Sequence, residues 1–349
     1  MLEKFEDKLN IGIRADGNSQ IGLGHIIRTM ALAREFQKNN HGILYWVKEN
    51  PVILKLLKQN NFDVLEIDSS LDINKETELI NSTFKKNKID IFIGDAAHID
   101  QVYLDQLNRA NKLVVLLDVL KDMKINADLI ISGGIHAVDY QREAERFNRN
   151  VLLGSRYVLL REQFNNCKPR CINRKVSNVL ITMGGADVQN LTPTFIRYIS
   201  QINNDLMINV VIGNAFKNKV EISEIANKLS NVYLHHNVQN MADLMYENDI
   251  AISAGGTTLY ELSATGTPTM AVIQAENQIL QTTRFQNKGI VINLGYGDKL
   301  DKDVFADEFI LINDWEKRKR MSALGQSEVD GKGVQRCYKS ILKAFYKLI

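Results

Sequence analysis

The residues best equipped for chemistry lie at turns that follow an apolar run and open a stretch of helical periodicity. The first turn reads Arg14-Ala-Asp-Gly-Asn-Ser-Gln-Ile-Gly-Leu-Gly-His25. Gly17, Gly22 and Gly24 permit positive φ and close approach of the backbone to a ligand. The helix that follows presents free N–H groups and the positive end of its dipole, which suits an anion. Arg14, Asp16 and Arg28 are candidate ligand contacts around it. His25 stands at the helix start, and imidazole is the side chain suited to proton transfer near neutral pH. His25 is therefore the candidate catalytic residue; the plainer alternative is a capping or core histidine. Ile27 occupies the place where the dinucleotide fingerprint needs a third glycine, so the turn does not indicate NAD.

The second turn is Met183-Gly184-Gly185-Ala186-Asp187, with Asn190 just beyond. Its paired glycines let backbone amides face a ligand, while Asp187 could equally cap the next helix. The third is Ile252-Ser253-Ala254-Gly255-Gly256-Thr257-Thr258, with Glu261 one helical turn on. Free amides beside two hydroxyls make a diphosphate cradle, and a carboxylate at Glu261 could accept from ribose hydroxyls. At three residues from Thr258, Glu261 could instead complete a capping box. Glu276-Asn277-Gln278 follows a further apolar run. The amides of Asn277 and Gln278 can donate and accept toward sugar hydroxyls and acetamides; the alternative is a helix cap at Asn277.

Other candidates carry less. Cys167 and Cys171 are half a metal site with no second Cys/His pair at useful spacing, so reduced thiols and no metal are expected. His41, His98, His136, His235 and His236 show no ligand spacing, although His98 and His136 fall just after expected strands. Trp46 and Trp315 read as packing residues.

The elements that must position these turns alternate strand and helix. Strands are expected at 11–14, 43–47, 64–67, 89–93, 113–117 and 129–131, with helices at 24–38 and 52–59 among them. A polar segment, 163–175, carries Lys168, Pro169, Arg170, Arg174 and Lys175 and reads as a linker. Strands resume at 179–183, 207–212, 232–235, 250–253, 269–273 and 290–293, and 334–348 reads as a closing helix. This rhythm implies parallel sheets covered on both faces. The expected fold class is α/β, with two Rossmann-like domains, 1–162 and 176–330, facing across a cleft as in GT-B glycosyltransferases, and a closing segment at 331–349.

Composition narrows the classes. The chain has 349 residues, too many for one ordinary core, and 43 basic against 41 acidic residues leave no bulk charge for nucleic acid or a membrane surface. The charged N-terminus lacks the apolar stretch of a signal peptide, and no run is long enough to cross a bilayer. A soluble cytoplasmic protein is the expectation. No pattern bears on oligomeric state.

Taken in order, these residues resemble a known family. Gln20-Ile-Gly-Leu-Gly-His-Ile-Ile-Arg28, Leu153-Gly-Ser-Arg-Tyr-Val-Leu-Leu-Arg-Glu162, Met183-Gly-Gly-Ala-Asp187 with Asn190, Ser253-Ala-Gly-Gly-Thr-Thr258, Glu261 and Val329-Asp-Gly-Lys-Gly333 are similar to the signatures of the nucleotide-sugar hydrolases of pseudaminic acid biosynthesis and the related spore-coat polysaccharide proteins. The resemblance implies a GT-B-like fold similar to the lipid II-forming N-acetylglucosaminyl transferase. It implies hydrolysis of UDP-2,4-diacetamido-2,4,6-trideoxy-β-L-altropyranose to UDP and free sugar, by water attack at the anomeric carbon, without metal or cofactor. It places the catalytic histidine at His25, nucleotide contacts at 253–261 with Glu261 on the ribose, and a sugar-facing pair at Asn277 and Gln278. The chain departs from the family at Gly94-Asp95-Ala-Ala-His98, which lacks an aromatic usual there, and at Asp118-Val119, where an acidic pair is usual. Two other functions use the same turns: a glycosyltransferase with a similar donor, and a sugar-nucleotide sensor without turnover.

Overall fold

The computed structural model describes residues 8–17, 23–120 and 123–348. The candidate Gly22 lies outside the described residues. The chain divides into two compact units, Met1–Arg161 with Lys332–Ile349, and Glu162–Gly331.

In the first unit the described strands are β1 (Asn10–Ala15), β2 (Gly42–Lys48), β3 (Asp63–Ile67), β4 (Ile91–Asp95), β5 (Leu113–Leu117), β6 (Leu129–Ser132) and β7 (Val151–Leu153). They form one sheet in the order β3-β2-β1-β4-β5-β6-β7, and every pairing is parallel. β1, β4 and β5 are buried at successive positions because both sheet faces are covered. One face packs Ile11, Ile13 and Val115 against Phe36, Tyr338 and Ile341. The other packs Phe92 and Leu116 against Trp46, Phe84 and Tyr103. Trp46 is a packing residue, wholly buried, with Nε1 donating to Thr83 Oγ1 at 3.1 Å. The closing helix, Gly333–Leu348, returns to this unit and buries Val334, Cys337, Tyr338 and Ile341 against it.

The second unit contains β8 (Asn178–Thr182), β9 (Met207–Ile212), β10 (Val232–His236), β11 (Ile250–Ala254), β12 (Thr269–Ile273) and β13 (Val291–Tyr296). Their order is β10-β9-β8-β11-β12-β13, again all parallel. Segment 163–175 is tied into this unit. The Arg170 guanidinium donates to the carbonyls of Met245, Tyr246 and Asn248. Arg318, wholly buried, donates to the carbonyls of Asn173 and Arg174. Trp315 lies between Arg174 and Lys319, whose cations sit 4.4 and 4.2 Å from its ring centre.

In each sheet the chain builds outward from a central strand and then returns to that strand's other side. The reversals fall between β1 and β4 and between β8 and β11. In open parallel sheets such reversals leave a crevice beyond the carboxyl ends of the strands, where ligands bind. The His25 turn follows β1, the Gly184 turn follows β8 and the Gly255 turn follows β11. No helix among the described residues is long and apolar enough to cross a membrane.

Candidate active site

At the first reversal, β1 and β4 run in register, with Ala15 opposite Asp95. The helix Gly24–Lys38 begins at this point, and its N-cap residue, Leu23, supplies no side-chain hydrogen bond. His25, in its first turn, sends Nδ1 to Asp95 Oδ1 at 2.8 Å. Asp95 is almost wholly buried, whereas the His25 side chain is about a third exposed. One helical turn further, Arg28 meets the same carboxylate through Nε to Oδ2 at 2.6 Å and Nη2 to Oδ1. Its remaining nitrogen, Nη1, goes to Asp118 Oδ2, just beyond β5. Ser132, the last residue of β6, donates its hydroxyl to Asp118 Oδ1. Side chains from four neighbouring strand ends thus join into one charged network.

The network fixes the imidazole. Arg28 Nη2 lies 2.9 Å from His25 Nδ1, and both nitrogens converge on Asp95 Oδ1. A carboxylate only accepts, so in the neutral ring Nδ1 carries the hydrogen and Nε2 keeps its lone pair. Burial alone would push the Asp95 carboxyl up, but the Arg28 guanidinium and the His25 ring outweigh it and hold the group below the usual carboxylate range. Burial likewise works against charge on Arg28, and Asp95 and Asp118 more than restore it, leaving its pKa above the ordinary value.

Asp95 is the partner of His25 and Arg28 that sequence reasoning did not single out as a site residue. It ends an apolar run, the one available signal, but a terminal aspartate is an ordinary feature of strand ends. Arg28 was expected on the ligand; here its Nε, Nη1 and Nη2 all serve the network, so it positions Asp95 rather than standing open. Arg14 was also expected on the ligand and is wholly buried instead. Its guanidinium binds Glu76 Oε1 through Nε at 2.8 Å and Asp16 Oδ1 through Nη1 at 2.6 Å. A long side chain on a strand covered on both faces points into a layer, not into the crevice. Asp16 is partly open and accepts from the Lys48 amide at 3.1 Å. Gly24 has open space where a side chain would lie.

In the second unit, Gly184 adopts φ +71, a conformation that favours glycine. Nothing lies within 4 Å of a side chain built at Gly184 or Gly185. Asp187 takes its plainer role: its oxygens accept from the amides of Leu191 and Thr192, both at 2.9 Å, and cap the helix Leu191–Ile202. Asn190 donates to Glu221 Oε2 at 3.0 Å. Asp187 is committed to the helix start and Asn190 to Glu221 of the helix Lys219–Ala226, and the glycine backbone is what the turn leaves open.

The turn after β11 is built for backbone contact. Ser253 is buried and donates to the Ala254 carbonyl at 3.0 Å, so its hydroxyl faces inward. Gln281 donates Nε2 to the carbonyls of both Gly255 and Gly256, each at 2.8 Å. A side chain at Gly255 would meet Thr282 Oγ1 at 2.1 Å, whereas one at Gly256 would meet nothing nearer than 4.0 Å. Gln281 holds these carbonyls toward the helix Ile279–Asn287. The helix Thr258–Thr265 starts at Thr258, and its N-cap residue, Thr257, makes no side-chain cap bond. The capping-box alternative for Glu261 is therefore not realised, and Glu261 lies half-buried in the helix's first turn. Nor does Asn277 cap the next helix: the cap position is Gln278, without a side-chain cap bond. Asn277 is exposed, and Gln278 Oε1 accepts from the Gln274 amide at 2.9 Å, leaving its amide nitrogen nearest Gly256.

Comparison with known proteins fits this arrangement. No protein-family model matches the chain. The chain is 23% identical to the spore coat polysaccharide biosynthesis protein SpsG of Bacillus subtilis, covering 97% of this chain and 99% of that one. It is 25% identical to the UDP-2,4-diacetamido-2,4,6-trideoxy-beta-L-altropyranose hydrolase of Campylobacter jejuni, covering 82% and 100%. It is 27% identical to an uncharacterised Methanocaldococcus jannaschii protein, covering 77% of this chain but only 57% of that longer one. Among solved structures, Acinetobacter baumannii MurG superposes with a TM-score of 0.73 at 14% identity, over 97% of this chain and 100% of that one. The calicheamicin glycosyltransferase CalG4 superposes with a TM-score of 0.67 at 15% identity, over 98% and 99%. The fold is that of the GT-B glycosyltransferases, two parallel-sheet α/β domains, and the sequence is related to the hydrolase and spore-coat proteins.

Proposed function

We propose that the chain hydrolyses a UDP-activated diacetamido-trideoxyhexose, UDP-2,4-diacetamido-2,4,6-trideoxy-β-L-altropyranose, to UDP and the free sugar. The observation that carries this reading is the His25–Asp95 pair. With Nδ1 hydrogen-bonded to a buried carboxylate, Nε2 is the ring's open base. Water gives a proton to Nε2 as its oxygen bonds to C1. The bond from C1 to the β-phosphate oxygen breaks, and its electron pair leaves on UDP. The amides at the start of the helix Thr258–Thr265 would stabilise the departing diphosphate. Glu261 would take the ribose hydroxyls, with Asn277 and Gln278 toward the sugar. The substrate itself rests on the kinship with the Campylobacter jejuni hydrolase.

The likeness to glycosyltransferase structures favours a second reading, transfer of the sugar to an acceptor. One experiment separates the two. The purified chain in EDTA is given the UDP-sugar without acceptor, and UDP release is followed by NMR beside His25→Ala. Release that the substitution abolishes supports the hydrolase. Release only when an acceptor is added supports the transferase, and binding without release in either condition supports a sensor.

A further inference from the structure

Beside the His25–Asp95 pair stands a second imidazole on a second buried carboxylate. His98 lies three residues beyond Asp95, after β4, and sends Nε2 to Glu76 Oε1 at 3.1 Å. Glu76 is 1% exposed, yet it is surrounded by donors: Arg14 Nε at 2.8 Å and Tyr103 Oη at 2.9 Å reach the same oxygen. Burial alone would push the Glu76 carboxyl up; His98 and Arg14 outweigh it and hold the group well below the usual range. Glu76 is thus an anion and only accepts, so in the neutral ring His98 Nε2 carries the hydrogen and Nδ1 keeps its lone pair; Arg14 Nη2, at 3.5 Å from Nε2, is at the limit of a contact. No described residue hydrogen-bonds Nδ1, and the His98 side chain is 29% exposed. The Tyr103 ring packs against the imidazole edge-on, with centroids 5.5 Å apart, which fixes its tilt.

Arg14 and Glu76 are expensive to bury, and an apolar pair of similar volume would stabilise the layer as well. What the cluster adds is an imidazole of fixed tautomer at the strand end next to the catalytic pair, since Arg14 and Ala15 stand opposite Gly94 and Asp95. We infer that His98 Nδ1 is a sugar-recognition acceptor, taking a hydrogen bond from an N–H or O–H donor of the glycosyl group while His25 acts at C1. A diacetamido sugar offers such donors in its amide N–H groups. This inference rests on the proposed nucleotide-sugar reaction. Glu76, Arg14 and Tyr103 act through His98 as positioning residues.

The test uses the full chain and two readouts. In the His25→Ala protein labelled with 15N-histidine, the His98 Nδ1 resonance should shift when the UDP-diacetamido sugar is added and stay in place with UDP alone. With His25 intact, His98→Ala should lower kcat/KM for the sugar about tenfold, the scale of one lost hydrogen bond with its partner left unpaired, while affinity for UDP is unchanged. His98→Gln, which can still reach Glu76 and accept, should recover part of the loss; unchanged thermal unfolding of both variants shows that they fold. Hydrolysis by the parent chain with His98→Ala indistinguishable from it, or a bound sugar that leaves the His98 resonance unmoved, overturns this inference alone. Failure of the parent chain to bind the UDP-sugar overturns it together with the proposed function.

Discussion

Asp118 takes the guanidinium nitrogen of Arg28 that Asp95 leaves over: Nη1 goes to Asp118, while Nε and Nη2 go to Asp95. The consequence is electrostatic. Arg28 alone would offset the Asp95 charge and weaken its hold on a protonated His25. With Asp118 added, two carboxylates face one guanidinium, and in the proposed reaction the proton that His25 takes from water would bring the cluster to neutrality. Asp118 holds φ +56, a conformation that costs a non-glycine residue on the order of 1 kcal/mol. The Ser132 hydroxyl anchors its other oxygen.

Asp95→Asn should therefore reduce kcat by about 10²- to 10⁴-fold, the range for loss of a positioned general base, with a smaller change in KM. The amide can no longer favour the ring tautomer with hydrogen on Nδ1. Asp118→Asn, one step removed, should lower kcat by roughly tenfold through the same charge balance. Steady-state UDP release measures both. An Asp95→Asn enzyme with the parent's kcat would remove Asp95 from the mechanism.

Gly255 and Gly256 should separate folding from binding. At Gly255 a methyl group collides with the buried Thr282 hydroxyl, so Gly255→Ala should destabilise the second unit by about 1–3 kcal/mol. At Gly256 there is room, so Gly256→Ala should unfold at the parent's temperature yet bind UDP at least tenfold more weakly, because the methyl occupies the approach to the amides. Thermal unfolding and calorimetric titration with UDP check the pair. Equal UDP affinity in Gly256→Ala would place the diphosphate elsewhere.

Gln281 touches no ligand in this scheme; it holds the carbonyls of Gly255 and Gly256 away from it. Gln281→Glu replaces the donor with an anion facing two carbonyls. The loop should loosen, and UDP affinity should fall about tenfold, equivalent to one lost charge-assisted contact. Gln281→Ala should fall less. The effect belongs in the dissociation constant for UDP, with kcat at saturating substrate nearly preserved; a defect confined to kcat would contradict this role.

Much of this was legible in the residue order, for identifiable reasons. β5 is apolar along its whole length and β4 up to Asp95 because helices cover both faces, and such runs are easy to read. β7 was missed because Val151–Leu153 is three half-buried residues with no period to detect. His25 was legible because a histidine after a Gly-x-Gly turn at a helix start is an uncommon combination. Asp95 was not, because its role exists only when a helix from β1 brings His25 and Arg28 to it across some 70 residues of chain. Arg14 was misplaced for the converse reason: its partner Glu76 lies on the helix Ile73–Lys86, 62 residues away, and local spacing cannot distinguish an arginine facing a layer from one facing a crevice.

The last prediction concerns acid. His41 is buried under the closing helix, where its Nδ1 accepts from the Leu9 amide at 3.1 Å and its Nε2 meets the Tyr338 hydroxyl at 3.2 Å. Burial pushes its pKa below the ordinary histidine value, with Asp90 opposing only in part. The fold therefore favours the neutral ring, since a proton on Nδ1 would break the bond from Leu9. An unfolded chain takes up that proton near pH 6.5, so its proton excess below that point lowers stability. The contribution of His41 is fully present above about pH 6.5 and is lost as pH falls toward the folded-state value. Asp95 and Glu76, both held low, stay ionised through this window and do not obscure it. His41→Gln keeps an acceptor for Leu9 and a donor for Tyr338 but does not titrate. Its melting temperature should decline less than the parent's between pH 7 and about pH 5.5, and His235, also lowered by burial, is common to both proteins and cancels in the difference. Parallel pH profiles for parent and variant would show that the closing helix is not held through a neutral His41.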